Sequence, residues 1–250
     1  MNMEASAFHE NASTRVAETF IELAGSIAAG AETIEIFTEL SRKCVWLLPA
    51  AAAGILLRDV AGDLQVVGSS SPSAHLLDLF QVQNEEGPCL ECLRHGQRIL
   101  VDDVSTEGEW PRFTAMMLAN GFTSVYALPL RSRRITIGAL NLFTQEPLDE
   151  SRITVAQALA DAATLSLLQV DLRTESNLVV ERIHRAVQSR NVLDQARGMI
   201  ARRFAVDSDQ ALQKLMAVAH STGIPLTDVA IAVVNRDPHS PVVPMLSLEN

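Results

Sequence analysis

At 250 residues, 48% hydrophobic and 20% charged, the chain has ample apolar material for a globular core and reads as one large domain or two small ones. Its longest wholly apolar runs, such as residues 50–57 broken by Gly54, fall far short of the roughly 18 residues a membrane-spanning helix needs. The net charge of −10 is uneven: residues 180–236 hold eight Lys and Arg against five Asp and Glu, so only that segment could attract a polyanion, and the body before it is acidic.

In chain order, residues 1–11 carry Glu4 and Glu10 with no early Lys or Arg, the wrong charge for a secretory signal, and the expected compartment is the cytoplasm. Val16, Phe20, Leu23 and Ile27, then Ile34, Phe37, Leu40, Cys44 and Leu47, recur at helical spacing, with Gly30 marking a break and Pro49 a stop. The period then changes. Residues 51–58 and 64–69 read as strands around the turn at 60–63. Residues 73–81 and 88–94 read as short helices and 99–101 as a short strand ending at Asp102-Asp103. Residues 110–120 read as a helix closed by Gly121, and 122–130 and 135–143 as a final strand pair. This order predicts an α+β domain with an antiparallel sheet. A long helical stretch follows at 149–204, with Asp149 placed to cap it and a polar interruption at 173–177. Its apolar stripe, Ile153, Ala156, Ala163 and Leu167 continuing to Val179, Ile183 and Val187, is longer than one small domain needs and predicts a homodimer through 149–180. Three punctuated helices end the chain. Leu193, Ala196 and Ile200 line the first; Asp207 to Gln210 has capping-box spacing before the second; Gly223 closes it, and Pro225 opens the third. The tail 237–250 has three prolines and no periodicity, and is expected to be disordered.

Two stretches carry a resemblance. Glu86-Gly-Pro-Cys-Leu-Glu-Cys-Leu, Val101-Asp-Asp, Trp110-Pro, Gly121-Phe, Leu128-Pro-Leu130 and Ile137-Gly-Ala-Leu-Asn-Leu-Phe143 together resemble the GAF family, with Gly138 inside a strand where a side chain would obstruct packing. Ser189-Arg-Asn-Val-Leu-Asp-Gln-Ala-Arg-Gly-Met-Ile200, with Ala211-Leu, Leu215 and Leu226-Thr-Asp-Val-Ala230, is similar to the ANTAR family, whose pattern runs Gln195, Ala196, a basic residue (here Arg197) and Gly198. The resemblance implies a GAF-like α+β sensor domain at 14–148, a connecting and dimerising helix at 149–180, and an all-α three-helix ANTAR-like RNA-binding domain at 181–236. Domains of the second kind bind paired RNA stem-loops and so prevent a transcription terminator from forming. A small-molecule ligand is implied for the sensor, but the resemblance names no cofactor. Ala205 stands where the family usually ends this helix with Gly, and Met216, Ala217 and Pro225 stand where relatives are often basic.

The RNA-binding candidates are Arg190, Gln195, Arg197, Gly198, Arg202, Arg203 and Lys214, since cations neutralise phosphate and release counterions. Arg190 and Arg197 lie seven apart, nearly on one helix face, and the alternative for the whole set is a solvated surface. Gly198 has a second reading, a close helix crossing. Two copies in a dimer would engage two loops with a high effective concentration. Trp110, Phe113, Met117 and Tyr126 could enclose an apolar ligand, or simply form core. Cys89 and Cys92 form C-x-x-C at a helix start, where a thiol pKa can fall, so a redox pair stands beside the plainer reading of small apolar core residues. A single C-x-x-C is too few ligands for a zinc site, and no metal is expected. No G-x-S-x-G, P-loop or H-E-x-x-H occurs, and the cysteine spacing does not match the GAF-fold methionine sulfoxide reductases, so no enzyme activity is expected. The GAF cyclic-nucleotide motif is missing too. The remaining alternative is a ligand-binding regulator that acts through a protein or DNA partner.

Overall fold

Amphipathic spacing at the start of the chain produces two helices, α1 (Asn2–Ala28) and α2 (Thr33–Leu47), that pack on each other. Glu32 and Glu35 form a capping box at the start of α2. Between the helices, Ser26 donates to Glu39, Lys43 pairs with Glu22, and the Arg15 guanidinium lies 4.0 Å from the Trp46 ring centroid. This computed structural model describes residues 2–29, 31–59, 62–132, 135–168, 177–237 and 240–246. Gly30, Val60, Ala61 and most of the polar interruption at 173–177 lie outside the described residues.

The chain divides into two units, Met1–Ile183 and His184–Asn250. In the first, five antiparallel strands pair in the order β2-β1-β5-β4-β3, with β1 Ala52–Arg58, β2 Leu64–Ser69, β3 Ile99–Val101, β4 Ser124–Ser132 and β5 Ile135–Thr144. The central strands are buried on both faces because helices cover both. Helices α1, α2 and α6 (Glu150–Leu168) pack together, with α2 against β1 and β2 and α6 against β4. On the opposite face, Ala52 and Leu56 meet α3 (Pro72–Asn84) and α4 (Pro88–His95). The short helix α5 (Pro111–Ala119) packs on α3.

Strand alternation fixes what each face carries. Val125 and Phe143 are cross-strand partners in the apolar cluster that includes Trp110, Phe113 and Met117. Tyr126 must therefore point the other way, and it does: its hydroxyl donates to Asp102 Oδ1 at 2.8 Å and accepts from the Leu148 N–H, just ahead of α6, at 2.7 Å.

In the second unit, the part of α7 (Asn177–Phe204) that follows Ile183 sets Ala186, Leu193, Ala196 and Ile200 inward. Helix α8 (Ser208–Thr222) is capped by Asp207, which accepts from the Gln210 N–H at 2.8 Å, and it closes at Gly223. Helix α9 (Leu226–Asn235) buries Leu226, Val229, Ala230 and Val233. The expectation of a structureless tail is corrected for residues 240–246. A short helix α10 (Val242–Met245) packs on α9 and buries Val242 and Leu246. These two apolar residues are four apart, and the Ser240 hydroxyl accepts from the Val242 N–H to start the turn.

Helix α7 ends with a Val206 N–H to Ala201 carbonyl bond of 3.1 Å, and Ala205 is held at φ +51°. That is the left-handed stop in which glycine is favoured, and an L-residue there costs about 1–2 kcal/mol. Ala205→Gly is expected to stabilise the second unit by about 1 kcal/mol. The gain should appear in full-length protein as slower amide exchange across α7 and α8, and unchanged exchange would show that the position carries no strain.

Candidate functional site

Helix α3 turns four residues toward the sheet at positions i, i+3, i+4 and i+7: Ala74, Leu77, Asp78 and Gln81. Two of the four are polar, and both are fully buried. Asn141, at the centre of β5, donates its Nδ2 to Asp78 Oδ1 at 2.7 Å. Gly54 is the cross-strand partner of Asn141, and a Cβ there would lie 1.7 Å from Asp78 Oδ2. The glycine thus lets the carboxyl lie flat against the sheet. Asp78 Oδ2 and Asn141 Oδ1 have no hydrogen-bond partner among the described residues. Burial pushes the Asp78 pKa up to about 8 from 3.8, opposed by the Asn141 hydrogen bond.

The segment Glu86-Gly-Pro-Cys89 builds the edge of this cluster. Glu86 Oε1 accepts from the N–H groups of Arg112 and Phe113 and so caps α5. Gly87, at φ +141°, leaves room for Gln81, since a Cβ would come within 2.4 Å of Gln81 Oε1. That oxygen accepts from the Cys89 N–H at 2.9 Å, at the first turn of α4. Asp78, Gln81, Asn141 and Cys89 thus form one buried polar set between α3, α4 and the sheet. The set offers a neutral carboxyl, two carboxamides and a thiol.

Sequence reading singled out Cys89 here and missed the other three. Their signal was present: two polar residues on the apolar face of a helix, and one in the apolar run Ala139–Phe143. Trp110, Phe113 and Met117 are buried and come together, but they pack with Leu77, Val104, Val125 and Phe143 as filled core. Tyr126 does not join them, for the reason of strand parity given above. Cys89 and Cys92 are free and buried in an apolar cluster. The lowered thiol pKa expected from a helix start is corrected. Burial, with the negative charge of Asp78 added, pushes the Cys89 thiol well up, and burial pushes Cys92 to about 12. Thiols held neutral in this way are poor nucleophiles. No group of His, Cys, Asp and Glu able to hold a metal occurs among the described residues.

The second unit separates the cationic candidates into two sets. Arg190 and Arg197 do share a face of α7, as their spacing predicts, but that face borders the inward stripe. Arg190 is only 3% exposed, and its Nε donates to Asp194 at 2.9 Å. Burial lowers its pKa, opposed by Asp194. The Arg197 side chain is 16% exposed and sits 3.1 Å from the same carboxylate. Both therefore belong to an internal ion triad, and Arg190 as an exposed phosphate contact is corrected. Gln195, Gly198, Arg202, Arg203 and Lys214 are exposed, with the Lys214 ammonium 4.8 Å from the Phe204 ring centroid.

A five-stranded antiparallel sheet roofed by short helices over a buried polar cluster is followed by a separate helical unit. Residues 31–167 match the GAF domain family and residues 181–234 the ANTAR domain family. The chain belongs to the GAF family and carries an ANTAR domain after it; the first is a small-molecule-sensing domain and the second an RNA-binding domain of antitermination regulators. Among solved structures it is similar to the GAF domain of a phosphoenolpyruvate-protein phosphotransferase (ptsP) from Coxiella burnetii, at 14% identity over 62% of this chain and 94% of that one, TM-score 0.49. It is similar to a GAF domain/HD domain protein from Geobacter sulfurreducens, at 20% identity over 63% and 97%, TM-score 0.47. It is also similar to a free methionine-R-sulfoxide reductase from Neisseria meningitidis, at 16% identity over 69% and 92%, TM-score 0.49. No curated protein matches the chain. No single helix among the described residues is long and apolar enough to cross a membrane.

Proposed function

We propose that the chain is a cytoplasmic, homodimeric antitermination regulator that binds paired RNA stem-loops through its ANTAR domain under the control of a small molecule sensed by its GAF domain. The observation that carries this reading is the charge of α7. Between residues 185 and 204 the sequence has five arginines and one acid, Asp194. That acid is engaged with Arg190 and Arg197, which leaves Arg202 and Arg203 exposed at the helix end, with Lys214 exposed on α8. Clustered, exposed cations suit a polyphosphate backbone. Dimerisation through residues 149–180 agrees with Leu165, an apolar side chain 56% exposed on α6; a monomeric mass in light scattering at micromolar concentration would remove it. In the GAF domain, the Asp78–Asn141 cluster beneath α3 and α4 is the place for the signal molecule.

The test is a gel shift of full-length protein against a paired stem-loop RNA and a scrambled control at two salt concentrations. Wild type is expected to prefer the stem-loops. Arg202→Ala with Arg203→Ala should weaken binding to all RNAs and reduce the log–log salt slope by about 1.5, at about 0.7–0.9 per phosphate contact. Equal binding of both RNAs by wild type, or an unchanged slope in the variant, would overturn the assignment.

A further inference from the structure

Asp78 and Asn141 share one hydrogen bond, from Asn141 Nδ2 to Asp78 Oδ1 at 2.7 Å, and Gln81 Nε2 approaches the same oxygen at 3.5 Å. Both donors fall on Oδ1, so in the neutral acid the proton belongs on Oδ2. Burial holds the acid neutral up to about pH 8. That leaves one donor, Asp78 Oδ2–H, and one acceptor, Asn141 Oδ1. Both are buried and without a partner among the described residues. Native folds seldom leave two such atoms unmatched in one place.

The sheet beneath them is low. Gly54 and Ala127 are the cross-strand partners of Asn141 on its two sides, and Ala139 lies two residues back along β5 on the same face. The side chains around the cluster are apolar, with Leu56 in one buried group and Leu77 in another. A charge brought into such surroundings is penalised far more than an uncharged polar group. The group that completes the pair is therefore neutral.

We propose that this pair recognises an uncharged carboxamide or lactam, whose carbonyl oxygen accepts from Asp78 Oδ2 and whose N–H donates to Asn141 Oδ1. The inference rests on the reading of this cluster as the place of the signal molecule and adds the chemical class of that molecule. A cis amide edge carries an acceptor and a donor side by side, the complement of an acid O–H next to a carboxamide carbonyl. The two free atoms belong to side chains already joined by a hydrogen bond, so one small group reaches both. A carboxylate would meet Asn141 Oδ1 oxygen to oxygen, and an amidinium, which only donates, would need Asp78 ionised.

The proton on Asp78 makes recognition depend on pH. Around it, α4 turns the Cys89 and Cys92 thiols inward, Arg58 of β1 and Arg131 of β4 act on those thiols, and His75 precedes Asp78 by one turn of α3. Arg112 of α5 is exposed beside Phe80, and β2 and β5 carry no titratable side chain. Burial keeps both thiols neutral beyond the range in which Asp78 titrates. An Asp78→Asn variant retains every one of these groups, so its comparison with wild type isolates the carboxyl.

Benzamide, benzamidine and benzoate carry the same ring and differ in the group presented: neutral, cationic and anionic. Each is titrated into full-length protein and its affinity read by saturation-transfer NMR at pH 7. Benzamide is expected to bind at least tenfold more tightly than either ion. Asn141→Ala should weaken benzamide at least tenfold, since it removes the acceptor. Asp78→Asn, whose amide keeps a donor in place of Oδ2–H, should retain it. In wild type the benzamide affinity should be level from pH 6 to 8 and fall about tenfold per unit above pH 8, while Asp78→Asn stays level. Benzamide binding that neither pH nor Asn141→Ala alters would overturn the proposal. A preference for benzamidine or benzoate that Asn141→Ala abolishes would overturn the amide assignment and leave the cluster as the signal site. If none of the three binds, the two atoms hold only water, and the reading of the cluster as the signal site falls together with this inference.

Discussion

Asp78→Asn is expected to stabilise the GAF domain by several kcal/mol at pH 8 and by little near pH 4. The carboxyl is fully buried, and its pKa in the folded chain is about 8 against an ordinary 3.8. Between these values the folded chain holds a proton that the unfolded chain has released, so stability falls as pH rises through that window. It is fully present below about 4 and levels off above about 8. At about 1.4 kcal/mol per pH unit, the total is on the order of 5 kcal/mol. Asparagine keeps the acceptor that Asn141 Nδ2 uses and places a permanent donor where the proton of Asp78 would be. Both tryptophans, Trp46 and Trp110, lie in the first unit, so their fluorescence in denaturant follows that unit alone. The advantage of the variant should grow with pH from 4 to 8. A difference independent of pH would mean that Asp78 is ionised in the folded protein.

A residue that weakens its own domain under working conditions is a candidate for function, and it was the part of the site least visible beforehand. The elements were legible because they rest on local rules: apolar periodicity, Asp207 as a cap, and Gly223 as a stop. What sequence spacing could not supply was direction. Seven-residue spacing put Arg190 and Arg197 on a common face of α7, but only the packed stripe of Ala186, Leu193 and Ile200 shows that this face turns inward. Tyr126 was grouped with Phe113 as lining an apolar site between sheet and helices, yet a shift of one position along a strand reverses the side a residue faces. Cys89 and Cys92 were visible as a motif, whereas their chemistry depends on burial, which no spacing reports. Ala205 was visible as a departure from the ANTAR pattern, and the positive φ of this alanine gives that departure its physical meaning.

Gly138→Val carries the largest expected loss. Gly138 sits at the centre of the sheet, opposite Leu57 of β1 and Leu130 of β4. A Cβ at this position would lie 2.2 Å from the Leu56 carbonyl oxygen and 2.6 Å from Leu57 Cδ2. The first obstacle is backbone, so no rotamer change relieves it. Either β1 and β5 part, with their hydrogen bonds left unmade in a buried layer, or the sheet bends against helices packed on both faces. Such a clash belongs with the few substitutions that cost about 4 kcal/mol or more, much of the stability of a domain this size. The variant is expected to lose the native tryptophan fluorescence of its first unit at 37 °C. The second unit has its own buried core, Leu193, Ile200, Leu215, Val229 and Val233 among it, and amide protection across α8 and α9 should persist in the same chain. Native fluorescence in the variant would show that the strands can yield at Gly138. Loss of protection in α8 and α9 along with the sheet would show that the ANTAR domain depends on the GAF domain for its fold.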